Sequence, residues 1–408
     1  MNKKANLYIW MGALGILTLM GFGALGYQLV KGLGVTGMNN AVSWGLYITM
    51  FMFFVGLSAG GLIVSSSATV FNIKSFKVVA KPATILSTAC ITVAGIFIMV
   101  DIGSPERVLN LLLHSQFKSP LMWDVCVITL YLCINVLYLY LMTRPNPNPK
   151  TMKIMSSVAL PVAILVHSVT AWIFGLQIAR DGWHSALMAP LFVASALDSG
   201  LALLIIVLVL LIKYKLFMVE KKLITTLAGL LVTCVAVDAY FVFSEILTMV
   251  YPQEESEMLI LKEMVKGSTA PFFWGEIILG FVIPLAILLF KKNREKTGLV
   301  IFSSVLIVIG VFFKRVWLLF TSFIYQHADG APGITLGKYL PNDSDVVPYF
   351  WLRHGHYAPT LIEIMIVVGM ISFGTLIFIV LSRKILLAKS EKATPTNQQP
   401  LEKSAAAH

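Results

Sequence analysis

The chain reads as an all-α polytopic membrane protein of about ten transmembrane helices. Three observations lead there. Of its 408 residues, 58% are hydrophobic and only 12% charged, where a soluble domain carries about 25% charged residues. Ten continuous stretches reach the ~20 apolar residues that a helix needs to cross the hydrocarbon core. Lysine and arginine then recur at every second gap between those stretches. The mean hydropathy of +0.84 agrees, and continuous rather than alternating apolar runs speak against a barrel of strands.

The first span covers about 8–30, behind Lys3 and Lys4. Its apolar stretch is longer than a signal-peptide core and no convincing cleavage site follows, so it is expected to be retained. The second span, near 42–71, is followed by Lys74, Lys77 and Lys81, and the third, near 79–101, closes on Asp101. The fourth, near 122–142, precedes Arg144, Lys150 and Lys153. The fifth, near 154–178, carries His167, and the sixth, near 186–212, carries Asp198 and runs into Lys213, Lys215, Lys221 and Lys222. The seventh, near 223–250, holds Asp238 and Glu245. The eighth, near 272–290, begins around Glu276 and precedes Lys291, Lys292, Arg294 and Lys296. The ninth, near 298–321, ends around Lys314 and Arg315, and the tenth, near 360–382, opens on Glu363 and precedes Arg383, Lys384 and Lys389.

The remaining loops are acidic: Asp181; Glu254, Glu255, Glu257 and Glu263; Asp329, Asp343 and Asp345. This is the positive-inside pattern. It places both termini in the cytoplasm of a multi-pass protein of the bacterial inner membrane. It also supports the count, because one missed span would invert every later loop. Residues 1–387 form one membrane domain, and the polar tail 388–408 is expected to be disordered. The net charge of +11 follows this pattern, so lipid rather than nucleic acid is the implied surface.

The informative residues are the ionisable ones inside the spans. Asp198 lies about halfway along its run and His167 at similar depth in the preceding one. A lone carboxylate at the bilayer centre costs at least ~2.5 kcal/mol, so such groups usually face a bundle interior and mark a path for ions, protons or ligands. Asp238 is also deep, while Glu245, Glu276, Glu363, Asp101, Lys314 and Arg315 fall in the outer half, as a pocket or half-channel opening outward requires. Plainer readings stand beside this one. Glu276 and Glu363 can snorkel to the interface. Lys314 and Arg315 can bridge to Glu245 or Glu276, Asp101 and Arg107 can form an interfacial turn, and Asp198 can simply hydrogen-bond His167. Two outer loops are long, 251–271 and 322–359; the second carries Tyr339, Tyr349, Phe350 and Trp351 and reads as a docking surface or a variable loop.

Redox cofactors find few ligands. Cys90, Cys126, Cys133 and Cys234 all fall in apolar spans without a CxxC. They read as small buried side chains, and no iron–sulfur cluster or metal site is expected. His167 is the only histidine deep in a span, whereas a membrane haem needs paired axial histidines, so no haem is expected either. No span has an obvious Gly/Pro break at mid-depth beyond Pro161, which lies nearer the inner end of its span. A faint repeat, Leu57-Ser58-Ala59-Gly60 against Leu197-Asp198-Ser199-Gly200, relates spans two to five to spans six to nine as parallel four-helix bundles flanked by spans one and ten.

Several motifs occur in order: Trp44-Gly45, Gly56-Leu57-Ser58-Ala59-Gly60-Gly61, Asp101-Ile102-Gly103-Ser104-Pro105-Glu106-Arg107, Ser119-Pro120-Leu121-Met122-Trp123-Asp124, His167-Ser168-Val169-Thr170-Ala171-Trp172 and Ala194-Ser195-Ala196-Leu197-Asp198-Ser199-Gly200. Together with Tyr357-Ala358-Pro359-Thr360-Leu361-Ile362-Glu363, they resemble the NrfD-like family, which includes the polysulfide reductase membrane subunit. Ten spans are more like its larger relatives in alternative complex III and related respiratory complexes. The resemblance implies a quinone-interacting subunit (menaquinone or ubiquinone) without its own redox cofactor. It implies docking to a periplasmic ferredoxin-like iron–sulfur subunit, which serves a molybdopterin or multihaem catalytic subunit. In the alternative complex III relatives a His and an Asp on neighbouring spans serve the quinone site; His167 and Asp198 match them by motif context. An arginine also acts there, with Arg353 and Arg315 as candidates.

The chemistry agrees. Oxidising a quinol releases two protons with two electrons, and a neutral imidazole can hydrogen-bond the quinol hydroxyl and accept a proton. An adjacent carboxylate can orient the imidazole and pass the proton on. Gln177 and Trp172 are expected to line the pocket, with Asp238, Glu245, Glu276, Glu363 and Asp101 as the proton path. A secondary transporter and a passive anchor of an outer enzyme remain open alternatives.

Overall fold

The structure, a computed structural model, describes residues 3–324 and 355–387. Among them are ten helices long and apolar enough to cross a membrane, and no strand. Hydrocarbon offers no partner to backbone amides, so each apolar run satisfies its own as a helix. The spans are α1 (Lys3–Lys31), α2 (Leu46–Val70), α3 (Ala80–Ile102), α4 (Pro120–Thr143) and α5 (Pro149–Gly175). They continue as α6 (Met188–Lys213), α7 (Lys221–Val250), α8 (Ala270–Leu288), α9 (Thr297–Ile324) and α10 (Leu361–Ser382). The side bearing the acidic loops is called outer, after the charge pattern. The tail 388–408 and most of the loop 322–359, with Arg353, lie outside the described residues.

Local chemistry sets the ends. Proline sits in the first turn of α4 and α5, where its missing N–H costs nothing. Asn148 caps α5 by accepting from the Lys150 amide at 2.9 Å. At the outer end of α3, Gly103 takes φ +69° and turns the chain away, a conformation glycine adopts without penalty. Between α7 and α8, Glu255–Lys266 forms an additional outer helix.

The two expected bundles are present: α2–α5 pack on one another, as do α6–α9. They meet along a seam made by α2, α5, α6 and α9. The repeat motifs lie on that seam. A Cβ added to Gly60 of α2 would stand 2.5 Å from the Gly200 Cα of α6, and the reciprocal substitution meets Gly60 equally closely. Only hydrogen fits there, which lets the two backbones touch. The neighbour is backbone and cannot rotate aside. Gly60→Ala and Gly200→Ala are therefore each expected to cost about 1–3 kcal/mol, read as a lower melting temperature in detergent. Gly95→Ala, whose Cβ would meet nothing within 4 Å, is expected to leave it unchanged.

Two expectations need correction. The first and last spans do not bracket the bundles. Instead α1 packs on α10, and α10 leans on α3. Gly21 and Gly369 allow this, since a Cβ on Gly21 would come within 2.5 Å of the Gly369 Cα. Second, Pro161 leaves α5 unbroken, while α8 winds as a π-helix over Glu276–Val282. Pro284, in the turn that follows, has no N–H to offer the preceding carbonyls. The wider coil absorbs that defect, and π-turns recur at functional sites.

Candidate functional site

The seam places the deepest polar residues together. His167 comes from the middle of α5, is 1% exposed and lies against the Gly56 backbone of α2, within electrostatic reach of Arg315. Arg315 of α9 is fully buried. Its Nη2 donates to Ser195 Oγ of α6 at 2.6 Å, and its guanidinium lies 4.1 Å from the Phe192 ring centre. The missing side chain at Gly56 makes room: a Cβ there would be 3.9 Å from Arg315 Nη2 and 3.8 Å from Ser199 Oγ. Among the described residues no hydrogen-bond partner serves His167 Nδ1 or Nε2, Arg315 Nε or Nη1, or either carboxyl oxygen of Asp198. Buried donors and acceptors are nearly always paired, which sets this group of atoms apart from the rest of the buried polar side chains.

His167 and Asp198 are not hydrogen-bonded to each other, contrary to the simplest expectation. Asp198 instead lies within electrostatic reach of Asp238 and Lys314. Lys314 Nζ donates to both carboxyl oxygens of Asp238, at 2.7 and 2.8 Å, and pairs with Glu276 Oε1 at 3.2 Å. Trp317 Nε1, one turn on, donates to Glu276 Oε2 at 2.6 Å. All four are buried, Glu276 fully. Glu276 therefore does not snorkel; the π-turn that begins at Glu276 accompanies its burial against α9. Of the bridges expected for Lys314, the one to Glu276 is present, joined by Asp238; Glu245 instead accepts from Ser185 at 2.7 Å.

Other expected residues fall elsewhere. Trp172 is 37% exposed and Gln177 lies beyond the end of α5, exposed. Neither lines the site, because five residues from His167 carry Trp172 to a different face of the helix. Arg353 lies outside the described residues, so Arg315 is the arginine found at the site. Glu363 and Asp101 belong to a separate group beside α1. Glu363 accepts from the Gly37 and Thr360 amides, both at 2.8 Å, and from Tyr357 Oη at 2.6 Å, closing a capping box at the start of α10. Burial, with the hydrogen bond to and charge of Glu363, pushes the Tyr357 phenol up, which keeps it a donor. Asp101 lies within electrostatic reach of Glu363 and of Tyr47, and Tyr47 donates to Gln28 at 2.6 Å.

The structure adds residues to which the sequence reading assigned no role. Asp124 of α4 is buried and accepts from Thr170 of α5 at 2.7 Å, one turn beyond His167. This matches Trp317 of α9 donating to Glu276 of α8, as the repeat requires. Opposite Asp198, the first bundle has Ser58, whose hydroxyl meets those of Ser87 and Tyr131 at 3.0 Å. The signal for Asp124 was its acid one turn inside the outer end of a span, directly after the Ser119-Pro120 helix start.

A ten-span bundle with a buried imidazole, an arginine and a cluster of carboxyl groups at its seam is a polytopic membrane protein that carries ionisable side chains inside its helix packing. The chain belongs to the NrfD polysulphide reductase family, which matches residues 34–326. Among its relatives is a protein of Halobacterium salinarum described as a putative membrane subunit of dimethyl sulfoxide reductase, 37% identical over 390 residues covering 90% of this chain and 88% of the relative. The Hdr-like menaquinol oxidoreductase integral membrane subunit of Archaeoglobus fulgidus is 30% identical over 90% of each chain. A selenate reductase subunit of Mesobacillus selenatarsenatis is 26% identical, covering 91% of this chain and 92% of the relative.

Proposed function

We propose that the chain is the quinone-reactive membrane subunit of a respiratory oxidoreductase, with the quinol or quinone ring held between His167 and Arg315. The observation that carries this reading is the set of unpaired nitrogens on those two buried side chains, converging where α2, α5, α6 and α9 meet. A quinone offers two carbonyl oxygens and a quinol two hydroxyls, which suit a guanidinium donor and an imidazole acceptor. The relatives named as menaquinol oxidoreductase and menaquinone reductase membrane subunits support the same assignment.

In the oxidising direction the quinol gives up two electrons and two protons. His167 takes a proton from the hydroxyl as general base, and Arg315 steadies the oxygen that becomes negative. The proton passes on through the cluster of Asp198, Asp238, Lys314 and Glu276, and then towards Glu245 at the outer end of α7. Asp101 and Glu363 stand outside this relay; Glu363, through the Gly37 amide and Tyr357, ties the start of α10 to the segment leading into α2. The electrons go to an iron–sulfur subunit docked on the periplasmic face, which serves a molybdopterin or multihaem catalytic partner. Both termini then face the cytoplasm.

A photoreactive menaquinone analogue tests the placement. It is expected to label peptides of α5 and α6 around His167 and Ser195, and excess menaquinol is expected to compete. Competed labelling confined to other helices would refute the site.

A further inference from the structure

Five aromatic rings stand over the outer side of the site, on the same seam that builds it. Phe192 of α6 carries Arg315 on its face. Phe174 of α5 lies 6.0 Å from Phe192, and Trp183 of the α5–α6 loop 5.1 Å from Phe174. Trp183 then meets Phe323 of α9 edge-on at 5.0 Å and Trp44, just before α2, in a stack at 6.1 Å. Phe174, Phe192, Trp183 and Phe323 are each at most 3% exposed. The indole N–H of Trp183 is occupied by the Leu318 carbonyl at 2.8 Å. Outside the rings, Arg180 lies over Phe323 at 4.8 Å and Trp183 at 5.5 Å, and donates to the Ser322 carbonyl at 2.8 Å. From His167 to Phe174 the helix rises about 10 Å; Thr170 in that stretch already gives its hydroxyl to Asp124 at 2.7 Å, so the layer is thick and its rings offer water few partners.

A second way out lies to the side. Next to Trp317 a cavity of about 20 Å³ is bounded by Gly182, Thr321, Met264 and Glu245. One water needs roughly 10–15 Å³ and polar partners; Glu245 and Thr321 on its wall carry oxygens able to accept from it, while the Trp317 indole N–H is already given to Glu276. Glu245 is only half-buried, so the cavity, walled on one side by the Trp317 ring that holds Glu276, lies between that carboxyl and the outer surface.

We propose that the five rings form a dry plug closing the His167–Arg315 site to outer water, so that a proton leaves it only by the side route through Glu276, the cavity and Glu245. This rests on the quinone reading above. The plug gives quinol oxidation a defined proton exit: the carboxyls must accept and release each proton in turn, and no aqueous shortcut bypasses them.

The experiment uses the assembled complex in proteoliposomes with the outer face exposed. Two readouts are combined. In the first, a membrane-impermeant thiol reagent is applied to Ser195→Cys, with labelling at that position read by mass spectrometry. It is expected to be excluded while the plug is intact and admitted when Trp183→Ala and Phe323→Ala are added. In the second, Glu245→Gln is expected to slow quinol turnover by roughly tenfold or more, and adding Trp183→Ala and Phe323→Ala is expected to restore it. Mere structural damage by the two alanines would not restore a rate. Labelling that is the same with and without the plug overturns the proposal. So does a Glu245→Gln complex of normal rate, or one that the alanines leave slow. The thiol readout needs no quinone chemistry. A plug that labels as expected beside a His167 region that fails to take the quinone analogue refutes the quinone reading alone.

Discussion

Replacing His167 by alanine is expected to lower quinol oxidation by the assembled complex roughly 10²- to 10⁴-fold, the range lost when a positioned general base is removed. The imidazole is 1% exposed, with the Gly56 backbone and the Arg315 guanidinium among its polar neighbours. Asp198 lies instead within electrostatic reach of Asp238 and Lys314. Truncation also leaves a small cavity, so assembly is followed in parallel by size-exclusion chromatography and is expected to persist. His167→Gln separates the two roles of the ring: a glutamine can hydrogen-bond the quinol but not take its proton, so binding of a quinone analogue should survive while turnover does not. Asp198→Asn, one step further along the relay, should slow turnover less than His167→Ala. A complex that assembles and turns over normally without His167 would remove the base assigned to the reaction and return the protein to the role of a passive anchor.

Lys314→Met carries the second large effect, on stability. The ammonium group faces Asp238 at 2.7 Å and Glu276 at 3.2 Å, with no exposure on any of the three side chains. Removing one member of a buried ion pair strands the others and typically costs about 3–5 kcal/mol. Here two carboxylates lose their counter-ion at once, so the folded yield and the melting temperature in detergent should both fall steeply. The triple variant Lys314→Met with Asp238→Asn and Glu276→Gln removes the stranded charges and should recover much of the stability. It should not recover turnover, because three of the four cluster groups between His167 and Glu245 then can no longer change protonation and Asp198 alone remains. Equal melting temperatures for Lys314→Met and the unsubstituted chain would show that the triad is not the buried cluster described.

The ten spans, the two bundles and the residues worth suspecting were legible in the chain itself. Length and hydropathy set the spans, because a bilayer demands a minimum apolar run. Charge alternation predicts a common sidedness for the loops. The cost of a charge in hydrocarbon singled out His167, Asp198 and Asp238, and the short repeat around Gly60 and Gly200 marked a real crossing of α2 and α6.

Which residues face one another was settled only by the tertiary structure. In water, apolar and polar stripes disclose the buried face of a helix. In lipid both the packed face and the lipid face are apolar, so hydropathy gives the length of a span but not its rotation. That is why Trp172 looked as suitable a neighbour for His167 as Arg315, and why Asp198 was paired with the imidazole rather than with Asp238 and Lys314. It is also why the pairing of α1 with α10, the π-turn that begins at Glu276 and the ring cluster beneath Arg180 emerged only once the helices were packed. The chain determined what crosses the membrane and at what depth each charge lies; packing, through close glycine contacts and a handful of buried hydrogen bonds, decided which charges meet.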